Sequence, residues 1–171
     1  LQKGRNTVNT RPFLTPVLIL STCLLWSCIC ELGFPAESSQ IRLIVRGDDI
    51  GSSHAANLAC IRSYRDGIVR SVEVMVSAPW FNEAVKMLNE NRDLDVGVHL
   101  TLTSEWENCK WGPVTEAPSL VDGRGHFYQV TRRRGDTQDQ IGFLDSDWKL
   151  DEVERELRAQ IELAVEKIAN V

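Results

Sequence analysis

The feature that most constrains the fold of this chain is the stretch 41–57, Ile-Arg-Leu-Ile-Val-Arg-Gly-Asp-Asp-Ile-Gly-Ser-Ser-His-Ala-Ala-Asn. An apolar, β-branched run at 41–45 stops at Arg46-Gly47, two adjacent carboxylates follow, and Gly51 with Ser52-Ser53 opens a helix. This pattern predicts a strand, a sharp turn and a helix start. In α/β proteins ligands bind at the C-terminal ends of parallel strands, because the loops there vary without disturbing the sheet. Asp48 and Asp49 occupy such an end. Neighbouring carboxylates repel, so keeping both costs stability unless a cation or a shared proton compensates. That points to a metal.

The alternation continues down the chain. Ser52 or Ser53 caps the first helix, whose Leu58 and Ile61 share a face and whose end is marked by Arg65-Asp66-Gly67. A Val-rich run at 68–76 predicts a second strand. Pro79 then starts a second helix, with Phe81, Ala84, Val85 and Leu88 at helical spacing. The run 94–102, Leu-Asp-Val-Gly-Val-His-Leu-Thr-Leu, predicts a third strand with His99 near its C-terminal end. This β-α-β-α-β order with short connections is that of parallel strands in a β/α barrel or an open α/β sheet.

The irregular segment 103–142, with a turn pattern at Asp122-Gly123-Arg124-Gly125, is longer than ordinary connections and predicts a cover over a site. Its Trp106 and Trp111 offer flat faces for stacking on sugar rings, with packing against the domain as the competing role. In the last helix Leu150, Val153, Leu157, Ile161, Ala164, Val165 and Ile168 predict one buried apolar stripe, with Glu154-Arg158 as an i,i+4 pair opposite. Residues 169–171 head toward a fourth strand that this sequence does not contain. The domain at 41–171 therefore reads as the N-terminal part of a larger fold.

A hydrophobic fraction of 43% in 171 residues suits one globular domain with a real core. The net charge of -5 argues against a nucleic-acid partner, and Arg132-Arg133-Arg134 is too short to make a basic face. Lys3, Arg5 and Arg11 precede an apolar run at 13–30, the pattern of a secretory leader, and 31–40 reads as a linker. The expected location is exported: periplasmic, envelope or secreted. Membrane contact is expected only through this leader, as a single anchor or through a lipid on Cys28, although Trp26 fits a lipoprotein cleavage site poorly. Of five cysteines, Cys23, Cys28 and Cys30 lie in the leader. Cys60 reads as a buried helix thiol, and a bridge to Cys109 is open to an exported protein. A homodimer stays open.

Asp48, Asp49 and His99 together supply two oxygen donors and an imidazole at the ends of strands one and three. Singly, each has a bland explanation in a cap, a turn or a core hydrogen bond; their coincidence at one sheet end favours a site. The run Arg-Gly-Asp-Asp-Ile-Gly resembles the Asn-Ala-Asp-Asp-Phe-Gly signature of the YdjC-like carbohydrate deacetylases, which include chitooligosaccharide deacetylases. Further matches follow in order across 41–171: Asn57, then Asp66-Gly67-Ile68-Val69 with Ser71 and Met75, then Val96-Gly97-Val98-His99-Leu100-Thr101-Leu102. Pro118-Ser119-Leu120-Val121-Asp122, Gly125 and Phe127-Tyr128 complete them.

This resemblance implies a β/α-barrel-like fold and a divalent-metal hydrolase that cleaves the C-N bond of N-acetyl groups on amino sugars or short chitin-type oligosaccharides. By position, Asp48 is implied to be the catalytic base, and Asp49 and His99 metal ligands. The chemistry of the residues agrees, since a carboxylate and an imidazole can hold an ion while a free carboxylate takes the proton of the attacking water. Mixed oxygen and nitrogen donors leave Mg, Zn and Mn open. Arg46-Gly47 and Ile50 depart from the signature. The third ligand of the family, a His after the next strand, has no counterpart in these residues. His126 does not match that motif and is at most a substrate contact, and His54 reads as part of a cap. A truncated, non-catalytic carbohydrate-binding fragment is the rival reading. A phosphoacceptor module would need an Asp where His99 stands.

Overall fold

Residues 41–133, 135 and 141–171 are described by the computed structural model, in which three parallel strands alternate with helices. The order is β1 Arg46–Ile50, α1 His54–Arg65, β2 Ser71–Val74, α2 Phe81–Asn89, β3 Asp95–Val98 and, after a long irregular segment, α3 Leu150–Lys167. The sheet runs β1-β2-β3 with both pairings parallel, so the α/β reading holds and all three strands end on the same side. The leader, its cysteines, the linker and Arg134 lie outside the described residues. No described helix is long and apolar enough to cross a membrane.

The strand bounds differ from the sequence reading because a strand is defined by its partner. Pairing of β1 with β2 starts where Arg70 N–H donates to the Val45 carbonyl, so the expected strand at 41–45 gives way to Arg46–Ile50. Leu43 and Ile44 stay exposed. The expected runs 68–76 and 94–102 shorten to Ser71–Val74 and Asp95–Val98, and Ile68 is exposed. Alternation on β2 then separates two faces. Val72 and Val74 are fully buried in a core with Ile50, Ala84, Leu88 and Leu94. Glu73 stands on the other face, ion-paired with Arg46. Each aliphatic side chain buried this way contributes about 1.5–3 kcal/mol relative to exposure.

Local chemistry sets the helix ends. Ser53 is the cap of α1, its hydroxyl accepting the Ala56 N–H at 3.1 Å, and Asp66 closes it. Helix α2 begins at Phe81 with Trp80 as cap, two residues after Pro79. The segment expected as a cover forms a second core of Met75, Ala78, Trp111, Leu120, Phe127 and Phe143. Its turn at 122–125 is closed by the Gly125 N–H donating to the Asp122 carbonyl at 3.0 Å, with Gly125 at φ +82.

Helix α3 overturns one expectation. Its inner face is Glu152, Glu156, Gln160, Ala164 and Ile168, at strict i,i+4 spacing, while Leu150 and Val165 are 71% and 60% exposed. Val153 reaches the second core, Ile161 is exposed, and the Glu154–Arg158 pair forms at 3.0 Å. The polar residues turn inward because the irregular segment presents backbone N–H groups without partners. Glu156 accepts from Val114 N–H, Thr115 N–H and the Thr115 hydroxyl at 2.6–3.0 Å. Glu152 accepts the Ser119 N–H and hydroxyl, both at 2.8 Å. An unmet buried donor costs about 1–3 kcal/mol, comparable to what one exposed Leu or Val loses, but Glu156 and Glu152 together meet three N–H groups and two hydroxyls, so the acceptors take the inner face.

Candidate functional site

The two aspartates lie in a β-bulge. Arg46 pairs with Ser71, Gly47 with Val72 and Ile50 with Val74, so Asp48 and Asp49 together oppose the single residue Glu73. Asp49 adopts φ +60, a left-handed conformation that Asp tolerates better than most residues. A regular strand would send consecutive side chains to opposite faces, whereas the bulge lets both carboxylates reach one point.

That point is His99, which follows β3 directly and is held by its N–H to the Val74 carbonyl at 2.9 Å. Its Nδ1 lies 3.0 Å from Oδ1 of Asp48 and 3.0 Å from Oδ1 of Asp49. Neither contact has hydrogen-bond geometry, so Nδ1 is a buried polar atom without a partner. One ligand atom from each of the three residues falls within 4.8 Å of the others. Burial pushes the Asp49 carboxyl above the usual range, as do the charges of Asp48 and Glu105, while His99 pulls it down. Two carboxylates and an orphaned imidazole nitrogen thus converge where a cation would relieve all three, and the donor set fits a divalent ion of hard or borderline character.

A second layer of hydrogen bonds holds the bulge. Asn57, fully buried on α1, accepts the Gly51 N–H at 2.6 Å and donates to the Trp80 carbonyl at 3.2 Å and to Glu83 at 2.8 Å. Glu83 in turn meets His54 Nδ1 at 2.8 Å, which places His54 in this network. Gly51 has φ +104, and a Cβ there would sit 2.8 Å from the Met75 carbonyl oxygen, so chain direction after the aspartates demands glycine. Cys60 packs beneath, its thiol pushed up by burial and 3.7 Å from the Asp48 carbonyl. Both Cys60 and Cys109 are free, so the bridge between them does not form. Sequence reasoning missed Glu83 and gave Asn57 no role. The signal for Asn57 was its position three and four residues before Cys60 and Ile61 on the inner face.

The remaining candidates make other contacts. Trp111 is 3% exposed in the second core, where it packs and presents no face for stacking. Trp106 meets it edge-on at 5.5 Å and is partly exposed. His126 lines a cavity of about 490 Å³ with Asp122, Tyr128 and Ile141.

The chain is 39% identical over 71% of its length to a Brevibacillus brevis protein named carbohydrate deacetylase, covering 42% of that protein. It is 38% identical to a Listeria monocytogenes protein of the same name, over 71% of this chain and 45% of that one. It therefore spans less than half the length of these curated relatives. A crystal structure of an Enterococcus faecalis protein, described as a proposed cellobiose-phosphate cleavage protein, superposes with TM-score 0.59 and 29% identity over 72% of this chain and 43% of that one. The family model described as YdjC-like protein matches residues 42–170, a span that holds the bulge, His99 and the three described helices, and this chain belongs to that family.

Proposed function

We propose that this chain carries part of the active site of a metal-dependent carbohydrate deacetylase of β/α-barrel-like form, acting on N-acetylated amino sugars or short chitin-type oligosaccharides. The observation that carries this reading is the convergence of Asp48, Asp49 and His99 within 4.8 Å. The names of the relatives support it.

Asp49 and His99 would hold a divalent ion through a carboxylate oxygen and Nδ1. Such an ion supplies Lewis acidity toward water and toward the acetamide carbonyl. Asp48 has the more exposed side chain of the pair, 66% against 40%, and its Oδ1 accepts the Asp49 N–H at 3.1 Å. In this reading its second oxygen takes the proton of the attacking water and passes it to the departing amine. The acyl C-N bond breaks, leaving acetate and the free amino sugar. A cavity of about 470 Å³ lined by Thr103, Glu105, Gln129 and Arg132 lies along the segment leaving His99, and its polar walls suit sugar hydroxyls.

The test uses protein from the full natural reading frame, with metal content and acetate release from an N-acetylglucosamine oligomer measured together. Asp48→Asn is expected to keep the metal and lose about 10²–10⁴ in turnover. Asp49→Asn and His99→Ala are expected to lose the metal. If Asp48→Asn loses metal while Asp49→Asn keeps both metal and activity, the roles are reversed. If all three variants deacetylate like the parent, the site lies elsewhere.

A further inference from the structure

Gln160 on α3 is fully buried, and its carboxamide grips one residue from both sides. Its Oε1 accepts the Thr101 N–H at 3.0 Å, and its Nε2 donates to the Thr101 carbonyl at 2.9 Å and to Glu156 at 2.8 Å. The Thr101 hydroxyl also meets the Ser77 hydroxyl at 2.6 Å, in the segment that follows β2. Thr101 stands two residues beyond His99, whose own N–H is held by Val74. The span 99–101 is therefore anchored at one end by β2 and at the other by α3. Two residues reach only about 7 Å when extended, so the anchor at Thr101 sets the direction in which the chain leaves β3 and hence where the imidazole lands. A carboxamide alone among side chains of this length both accepts from an N–H and donates to a carbonyl without charge.

We propose that Gln160 is a positioning residue for His99: through the Thr101 backbone it holds Nδ1 at its 3.0 Å distance from Asp48 and Asp49 and so sets the divalent-ion affinity of a site to which α3 contributes no ligand. The inference rests on the metal-site reading above. Glu156 fixes the Gln160 amide and leaves Nε2 with both protons used, so the orientation is not free to flip.

Calorimetric titration with Co²⁺ beside thermal unfolding tests this on the full chain. Gln160→Glu keeps the shape but turns an acceptor on the Thr101 carbonyl and on Glu156, and Gln160→Met keeps the volume and removes all three bonds. Either is expected to weaken Co²⁺ binding about 10–100-fold, the scale of losing an outer support of a ligand. Glu152→Ala is the control, since it unpins the same irregular segment at Ser119 without touching Thr101. It is expected to lower the melting temperature and leave Co²⁺ affinity as in the parent. If one Gln160 variant does not fold, the other carries the comparison. Parent-like Co²⁺ binding in the Gln160 variants overturns the positioning role and leaves the metal site standing. An equal loss of affinity in Glu152→Ala overturns it too, since general loosening would then account for the effect. A parent that binds no Co²⁺, Zn²⁺ or Mg²⁺ overturns both the role and the site.

Discussion

Asp48 and Asp49 at the end of β1 and Glu152 and Glu156 on the inner face of α3 are both pairs of acids close in sequence, yet only the second pair is satisfied by the chain itself. Glu156 takes bonds from two backbone N–H groups, a hydroxyl and the Gln160 amide, and the Ser119 N–H and hydroxyl hold the Glu152 carboxyl below its usual range. Around the aspartates, burial and like charge instead push Asp49 upward, against the pull of His99, whose Nδ1 lies 3.0 Å from both carboxylates without hydrogen-bond geometry to either. Acids saturated by the backbone are structural. Acids that converge with few donors of their own are the ones to which the proposed site assigns a cation.

The largest expected effect breaks the satisfied side of this contrast. Glu156→Ala leaves the Val114 and Thr115 donors without acceptors and is expected to cost about 3 kcal/mol in urea unfolding, near the upper figure for a stranded buried group. Asp49→Ala, measured without metal, is expected to cost less than about 1 kcal/mol or to stabilise, because it removes repulsion at a partly solvated position. Equal losses in the two variants would erase the distinction between the pairs.

Next comes the turn that aims the aspartates. Gly51→Ala forces a Cβ against the Met75 carbonyl at φ +104 and is expected to cost about 1–3 kcal/mol. Because Gly51 sits two residues from Asp49, the same variant is expected to weaken metal binding. Destabilisation with parent-like metal affinity would show that the bulge is held by other contacts.

The smallest effect is a pH dependence in the network beneath. The Asn57 amide, and after it His54, hold Glu83 below its usual range. A carboxyl with a depressed folded-state pKa stabilises above its unfolded value, about 4.3, and loses that contribution as pH falls through the folded value. Glu83→Gln is therefore expected to melt lower than the parent at pH 7, with the gap closing as the pH falls below the ordinary carboxylate value of about 4.3. A gap that stays constant across that range would mean that the charge on Glu83 contributes nothing to the fold.

The alternation of strand and helix, a cap at Ser52 or Ser53, the turn at 122–125 and the donor types Asp48, Asp49 and His99 at strand ends were legible in the sequence, because each rests on neighbours within a few positions. Strand bounds were not, since β1 begins where β2 first meets it at Val45 and not where the apolar run begins. Trp111 was open between stacking on a sugar and packing against the domain, and only the folding of its segment into a core decided for packing. The inward face of α3 misled most. Its apolar residues at helical spacing describe a convincing stripe, but the row Glu152, Glu156, Gln160 at i,i+4 spacing is an equally regular signal, and nothing local ranks the two.

What the sequence determined by itself was the α/β pattern and the chemistry on offer at one sheet end, because helix capping and β-branching act over a turn or a strand. The tertiary structure decided the rest: that a bulge opposite Glu73 turns both aspartates onto His99, and that α3 spends its inner face on acceptors for Val114, Thr115, Ser119 and Thr101. The physical reason is that such a backbone donor belongs to a segment more than thirty residues away from the side chain that satisfies it, so its demand becomes visible only when the two are packed together.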